Sequence, residues 1–364
     1  MIFLSYTSSI EMSEEFTAAL KKYKNILIVI KGSPDPDVIA SSYAVKCICE
    51  NLGLRAGIFS QQTISLKENE VFIKDLDIPI NFGEYRQGAN KFDAYAVLDH
   101  QSASVEGLRI PCAVHIDHHE PVEEDIEIDF KLIKKDVGSV STILALYLRD
   151  MDLNIEEPEM SSISTALTFG IQVDTDQYSH ALKLDYEALN FLSKYSSSET
   201  INKISNAPFS KETVALLLEA INNQIFYKDW LITGVGFIDE SNRDSIAIIA
   251  DFLLNRKNAA TVVVFAAVNK MKGRGLVLDA SFRSAQKHLN INDIIKNITT
   301  EGGARKYKGA YQIHLDYFIN CPDKALLWEV IKLTTFEVLK KRRDGIYITG
   351  MKGVYQKFKH WFSN

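Results

Sequence analysis

Short apolar segments alternate with helical patterns through the first half of this 364-residue chain. The apolar segments read NILIVI, LRAGIFS, DAYAVLD and CAVHID, and a helical pattern, VIASSYAVKCICENLG, lies between the first two. Near-continuous apolar strands joined by helical crossovers are typical of a parallel sheet that is covered on both faces. The pattern therefore predicts an α/β fold with an N-terminal parallel sheet.

A second α/β pattern begins after Trp230, with WLITGVGFI, ATVVVFAAVN, LVLDASFRS and AYQIHLDYF as its apolar segments. The length of the chain also exceeds the usual size of one hydrophobic core, which favours two domains. We expect an N-terminal domain over 1–195, a helical linker over 196–228, a smaller mixed-sheet domain over 229–325 and a basic C-terminal extension over 326–364.

Composition excludes several classes of protein. The longest uninterrupted apolar run, AATVVVFAAV, is far shorter than the roughly 18 to 20 residues that span a bilayer. The N-terminus lacks the pattern of a signal peptide, so we expect a cytoplasmic protein without a membrane partner. A net charge of −6 argues against a generally basic, nucleic-acid-coating surface, and four scattered cysteines without a CxxC pair predict reduced thiols.

Acidic residues follow the ends of the predicted strands. Asp35 and Asp37 come after NILIVIKGSP, Asp99 closes DAYAVLD, and Asp117 precedes two histidines in CAVHIDHH. In parallel sheets, ligands bind beyond the carboxyl ends of the strands. Asp beside Pro is also a common turn signal, and Asp favours a helix N-terminus, so the SPDPD segment alone does not establish a metal site.

A fourth element extends this set of acidic residues. The segment SSISTALTFGIQVDTDQY has helical apolar spacing as far as Asp174, and we expect Asp174 and Asp176 in the loop after it. Carboxylate and imidazole are ligands that Mn²⁺ accepts. Two ions about 3.5 to 4 Å apart activate water and stabilise the leaving oxygen in phosphoryl hydrolysis. The set therefore predicts phosphoester cleavage that depends on one or two Mn²⁺ ions, with Mg²⁺ as an alternative.

These motifs resemble those of the DHH phosphoesterase superfamily, in its branch with a DHHA1 C-terminal domain. The resemblance rests on SPDPDVIAS, VLDHQS, HIDHHE, GIQVDTDQY, SFRS and EGGARKYKGAYQI, which follow one another in the family's order. It implies two α/β domains that face each other across a cleft, with manganese on the N-terminal side. The chain is similar to oligoribonucleases, phosphoadenosine phosphate phosphatases and exopolyphosphatase-related proteins.

The resemblance also implies roles for individual residues. The positions of the family's metal ligands are occupied by Asp35, Asp37, Asp99, His118 and Asp174. Asp117 would orient the loop that follows the strand, and His119 would face the scissile phosphate. The positions that bind the substrate's terminal phosphate and nucleotide are occupied by Arg283, Ser284, Gly302, Gly303 and Arg305.

Two residues depart from the family pattern. Lys31 stands where a metal-ligating histidine is usual, and Arg305 replaces a histidine after the glycines. A lysine ammonium has no lone pair to donate to a metal. Either His100 or His115 takes over as a ligand, or Asp176 adds a carboxylate. In the third arrangement, which we expect, Lys31 is itself catalytic as a cation beside the phosphoryl oxygens.

The predicted function is that of a metal-dependent phosphodiesterase or phosphatase acting on small nucleotides or short oligonucleotides. Cyclic dinucleotide hydrolysis is one alternative, and a non-catalytic nucleotide-binding protein is another, because Lys31 and Arg305 replace histidines. The basic and aromatic residues of LKKRRDGIYITGMKGVYQKFKHWFSN suit contact with RNA, although a solvated amphipathic tail is the commoner case. The oligomeric state stays open, with a homodimer as one expectation.

Overall fold

A computed structural model describes residues 9–64, 66–83, 91–256, 258–270, 275–286, 288–304 and 307–361, with side chains over 10–345 of these. The chain divides into two compact units, Met1–Pro208 and Phe209–Asn364. The described residues form eleven α-helices and twelve β-strands.

A six-stranded parallel sheet, in the order β3-β2-β1-β4-β5-β6, forms the centre of the first unit. The strand order reverses between β1 and β4, and doubly wound sheets bind ligands beyond the carboxyl ends of the strands at such a point. The strands are β1 (Asn25–Ile30), β2 (Arg55–Ser60), β3 (Ile80–Phe82), β4 (Ala94–Leu98), β5 (Cys112–Asp117) and β6 (Ile128–Ile133). The predicted N-terminal parallel sheet is confirmed.

Burial on both faces of this sheet explains its apolar strands. Along β1, Ile26 and Ile28 lie in the main core of the unit, whereas Leu27 and Val29 lie in a smaller cluster. Successive side chains of a strand point to opposite faces, so a strand covered on both faces needs apolar residues throughout. The helices are α1 (Ser9–Leu20), α2 (Pro36–Asn51), α3 (Lys67–Asp75), α4 (Val140–Asp150), α5 (Glu157–Asp174), α6 (Lys183–Leu192) and α7 (Ser198–Ser205).

The second unit is built on a mixed sheet in the order β11-β12-β10-β9-β8-β7. Strands β8 and β9 are parallel, and the other neighbouring pairs are antiparallel. The strands are β7 (Ile225–Tyr227), β8 (Trp230–Asp239), β9 (Thr261–Asn269), β10 (Leu276–Ser284), β11 (Gly302–Ala304) and β12 (Lys308–His314), and the helices are α8 (Lys211–Asn222), α9 (Ser245–Arg256), α10 (Ile291–Lys296) and α11 (Lys324–Trp361). The predicted mixed sheet is confirmed.

The predicted linker and the predicted C-terminal extension both contribute elements to these two units. Residues 196–228 contain α7, which belongs to the first unit, and α8 and β7, which belong to the second. Helix α11 begins within the predicted second domain and continues through the predicted extension. Leu327, Ile331 and Leu339 of α11 lie in a buried core of the second unit. Across the described residues, no helix combines the length and apolar character needed to cross a membrane.

Candidate metal centre

Four side chains from separate elements meet beyond the carboxyl end of the parallel sheet. Asp37 lies in the first turn of α2, Asp99 follows β4, His118 follows β5, and Asp174 is the last residue of α5. One ligand atom from each residue lies within 4.8 Å of the other three. The sequence predicts a loop at Asp174, but α5 extends to include this residue, and Thr175 N still donates to Ile171 O at 3.0 Å.

The centre of this group contains two buried polar atoms that make no hydrogen bond. They are Asp99 Oδ1 and His118 Nε2, which lie 3.3 Å apart. His118 Nε2 also lies 3.0 Å from Asp174 Oδ2. Buried polar groups are almost always hydrogen-bonded, so an oxygen and a nitrogen without a hydrogen bond, within a group of carboxylates and an imidazole, fit a divalent cation. The residues present are therefore suited to hold the metal that the sequence predicts.

Burial and the neighbouring charges shift the pKa values of these residues. Burial and then the charge of Asp174 raise the pKa of Asp37 to about 7. Burial also raises the pKa of Asp99 well above its ordinary value. Burial alone would lower the pKa of His118, but the adjacent carboxylates of Asp174 and Asp99 raise it to about 11. Without metal, the proton on His118 thus offsets part of the negative charge that a cation would neutralise.

The N-terminus of α4 binds the carboxylate of Asp37. Val140 N donates to Asp37 Oδ2 and Ser141 N donates to Asp37 Oδ1, each at 2.8 Å. Asp185, which is fully buried, in turn accepts from Gly138 N at 2.9 and 3.0 Å and thereby fixes the residues before α4. A helix N-terminus has unpaired amides and a partial positive charge, so it both orients Asp37 and favours its ionised form.

Asp117 orients both histidines that follow β5. Its Oδ1 accepts from His118 N at 2.8 Å and lies 2.7 Å from His119 Nδ1. Burial alone would raise the pKa of Asp117, but the hydrogen bond from His119 keeps it below its ordinary value. Because a carboxylate only accepts, Nδ1 of His119 carries the proton of this bond. One atom each from Asp99, Asp117, His118 and His119 also lies within 4.8 Å of the other three, which makes a second possible ligand group.

Asp35, the fifth expected ligand, caps α2. Its Oδ1 accepts from Val38 N at 3.0 Å, and neither ligand group among the described residues includes it. Its charge contributes to the raised pKa values of Asp37 and Asp99. Asn69 of α3, a buried residue, donates to Pro34 O at 3.0 Å and holds the turn in which Asp35 lies.

The residues considered in place of the missing histidine make other contacts. Lys31 Nζ donates to the main-chain oxygens of Ser102 and Ser104. His115 Nε2 lies 2.8 Å from His100 O, and the Nδ1 of His100 lies 3.1 Å from the main-chain nitrogen of Ser102. Within the described chain, none of His100, His115 and Asp176 belongs to either of these two ligand groups.

The predicted substrate-binding residues lie in the second unit. Arg283 Nε donates to Asp251 Oδ1 at 2.6 Å, and its NH1 donates to Ser281 Oγ at 2.8 Å. The buried hydroxyl of Ser284 lies 2.8 Å from Thr261 Oγ1. Gly302 has a φ of +155°, and a Cβ there would lie 2.5 Å from Ala310 O, so this position requires glycine. Gly302 and Gly303 lie in β11, and Arg305 lies outside the described residues.

Sequence reasoning missed three residues that support the ligands. Glu124, Asp185 and Asn69 hold main-chain segments next to the ligands rather than contacting the metal position themselves. None of them belongs to a motif, and each acts on a segment at least 20 residues away along the chain. Their roles depend on contacts that only the folded chain reveals.

Fold and side chains together define a doubly wound α/β domain with a carboxylate and histidine cluster that is suited to a metal. Residues 25–171 match the DHH family, N-terminal domain. This match lies within the first unit and confirms the resemblance to the DHH family found in the sequence.

Two further proteins resemble the chain over most of its length. Over 315 residues, or 86% of this chain, it is 30% identical to the uncharacterized protein MJ1633 of Methanocaldococcus jannaschii, and it spans 63% of the length of that protein. An exopolyphosphatase-related protein from Bacteroides fragilis has a TM-score of 0.65 and 17% identity, over 93% of this chain and 100% of the other. That similarity shows a shared fold.

Proposed function

We propose that the protein is a metal-dependent phosphoesterase that hydrolyses small nucleotides or short oligonucleotides. The observation that carries the proposal is the pair of buried atoms without hydrogen bonds, Asp99 Oδ1 and His118 Nε2, within a set of three carboxylates and one imidazole. Mn²⁺ and Mg²⁺ are the cations that suit this set. Such a cation lowers the pKa of a coordinated water and stabilises charge on phosphoryl oxygens.

Separate roles follow for the residues around the cation. Asp37, Asp99, His118 and Asp174 would hold it. His119 would act on the substrate, because Asp117 engages its Nδ1 and leaves Nε2 to accept a proton and, once protonated, to donate to a phosphoryl or leaving oxygen. The orientation that Asp117 imposes keeps this imidazole in one tautomer, as a proton-transferring group requires.

Substrate contacts in the second unit are also part of this proposal. Arg283 is the candidate for a phosphate contact, since Asp251 and Ser281 hold its guanidinium in a defined orientation. Ser284, the Gly302–Gly303 strand and Arg305 are the further candidates, and they rest on the family resemblance alone.

The test is Mn²⁺-dependent hydrolysis of a substrate panel. The panel contains phosphoadenosine phosphate, RNAs of two to five nucleotides, linear and cyclic dinucleotides, and pyrophosphate. We expect turnover of one nucleotide class that falls at least about 100-fold in Asp99→Asn. The control is Asp136→Asn, which changes an exposed aspartate paired with Lys134 outside the centre. Turnover of cyclic dinucleotides alone would support the alternative substrate.

Two results would contradict the proposal. If the protein binds Mn²⁺ and nucleotides but hydrolyses no member of the panel, it is a nucleotide-binding protein rather than an enzyme. Equal turnover by the wild type and Asp99→Asn would place the reaction elsewhere in the molecule.

A further inference from the structure

We infer that Lys31 is a positioning residue that holds, together with Glu124, the loop that begins at Asp99. The inference rests on the proposed function, since it concerns how one of the proposed metal ligands is kept in place. It assigns Lys31 a role different from that of a cation in the reaction centre. The observation behind it is that two side chains of opposite charge bind the main chain of the same segment, residues 102–104.

The ammonium of Lys31 is directed at main-chain oxygens. Its Nζ lies 2.8 Å from Ser102 O and 2.6 Å from Ser104 O, and Ser102 Oγ is 3.4 Å away. An ammonium group has three N–H donors, so these three acceptors account for all of them. A lysine engaged in this way has no donor left for a phosphoryl oxygen.

Glu124 binds the amides of the same segment. Its carboxylate accepts from Ala103 N at 2.8 Å, from Ser104 N at 3.1 Å and from Ser102 Oγ at 2.8 Å. The side chain of Glu124 is only 8% exposed, so these charge-assisted hydrogen bonds are shielded from water. Ala103 itself is fully buried in the smaller apolar cluster. Lys31 thus donates to the carbonyls of Ser102 and Ser104, and Glu124 accepts from the amides of Ala103 and Ser104.

The segment is tied to the metal position through Asp99 and His100. Asp99 has a φ of +50°, a left-handed conformation that persists only where the surroundings impose it. The carbonyl of the next residue, His100, lies 2.8 Å from His115 Nε2. With Lys31 and Glu124 in place, the chain from 99 to 104 is held along its length. Release of residues 102–104 would let Asp99 Oδ1 leave its position beside His118.

The variants Lys31→Met, Lys31→Arg and Lys31→His test this inference without substrate. Calorimetry with Mn²⁺ gives the affinity and the stoichiometry, and hydrogen exchange of the metal-free protein reports on the amides of residues 103 and 104. Loss of a residue that supports a metal ligand typically weakens metal affinity about 10- to 100-fold. We expect Lys31→Met to raise the Kd for Mn²⁺ by that factor and to speed amide exchange in residues 99–105.

The conservative and control variants sharpen the result. Arginine also offers several N–H donors to two carbonyls, so Lys31→Arg should keep the Kd within about threefold of the wild type. Lys31→His should weaken binding without changing the stoichiometry. Lys22→Met removes a lysine paired with Asp129 at 2.6 Å elsewhere on the first unit, and it should leave both measurements unchanged.

Coupling between the two charged residues provides a further check. Glu124→Gln should weaken Mn²⁺ binding in the same direction as Lys31→Met. Because both act on one segment, the double variant should lose less affinity than the sum of the single losses, in free-energy terms. Strict additivity would contradict a shared mode of action.

Two outcomes would overturn the inference. One is a Lys31→Met protein with wild-type Mn²⁺ affinity and amide exchange but lowered turnover, which would place Lys31 at the substrate. The other is a second bound Mn²⁺ in Lys31→His, which would show that position 31 faces the metal. Either result leaves the proposed hydrolysis intact. Conversely, a wild type that binds Mn²⁺ without hydrolysing any substrate would refute the proposed function and leave the positioning role standing.

Discussion

Mn²⁺ binding should release protons, chiefly from His118. With a pKa of about 11, His118 keeps its proton near neutral pH, and it must lose that proton to bind a metal. With a pKa of about 7, Asp37 contributes about a quarter of a proton at about pH 7.5 and most of one at about pH 6.

The expected magnitude follows from these protons. Release should amount to slightly more than one proton at about pH 7.5 and about two at about pH 6. Protons compete with the metal, so the affinity for Mn²⁺ rises with pH. The Kd should fall about tenfold per pH unit near pH 8, and more steeply below pH 7.

Calorimetry in buffers of different ionisation enthalpy measures the number of protons released. His118→Gln has no imidazole proton to lose, so release should drop by up to about one proton. The drop should be smaller at about pH 7.5, because the charge of His118 lowers the pKa of Asp37 and its loss lets Asp37 keep more of its proton. Wild-type release no greater than that of His118→Gln would show that His118 is neutral in the metal-free protein. That result would refute the view that the carboxylates of Asp174 and Asp99 hold its proton.

Three other predictions concern packing, catalysis and the C-terminal helix. A Cβ at Gly170 would lie 2.3 Å from Ser141 Oγ. Gly170→Ala should therefore lower the free energy of unfolding, measured by urea titration, by about 1 to 3 kcal/mol. Adding Ser141→Ala to that variant should restore part of the loss. Asp117→Asn should lower kcat about 10- to 100-fold through misorientation of His119, with a smaller change in the Kd for Mn²⁺; equal losses in both would instead make Asp117 a ligand. Truncation after residue 345 keeps Leu327, Ile331 and Leu339 of α11, so these core contacts should remain and the Tm should stay within a few degrees of the full chain. The truncation should reduce the salt dependence of RNA binding only if the tail contacts phosphates.

The sequence was most informative where an apolar strand is followed by acidic residues. Apolar runs predicted the buried strands, and the aspartates that follow them predicted the ends of β1, β4 and β5 together with the position of the site. The parallel order of the sheet then places Asp37 and Asp99 at the same edge, as the topology of doubly wound sheets requires.

Contacts distant in sequence could not be predicted in the same way. The amides that bind Asp37 lie more than 100 residues further along the chain, at the start of α4. Glu124 is one of several acids in the segment EPVEEDIEID, and nothing in that segment distinguishes it from its neighbours. The direction of the Lys31 side chain depends on the loop after β4, whose conformation in turn depends on Glu124.

The four proposed ligands extend from the start of α2 to the end of α5, so one ion would cross-link elements that are far apart along the first unit. A ligand that binds only the folded chain stabilises it by mass action, by about 2.7 kcal/mol when its concentration is 100 times its Kd. The supply of metal would then set the lifetime of the folded protein as well as its activity. Under metal limitation, unfolding and proteolysis of this unit would remove the protein that has lost its ion.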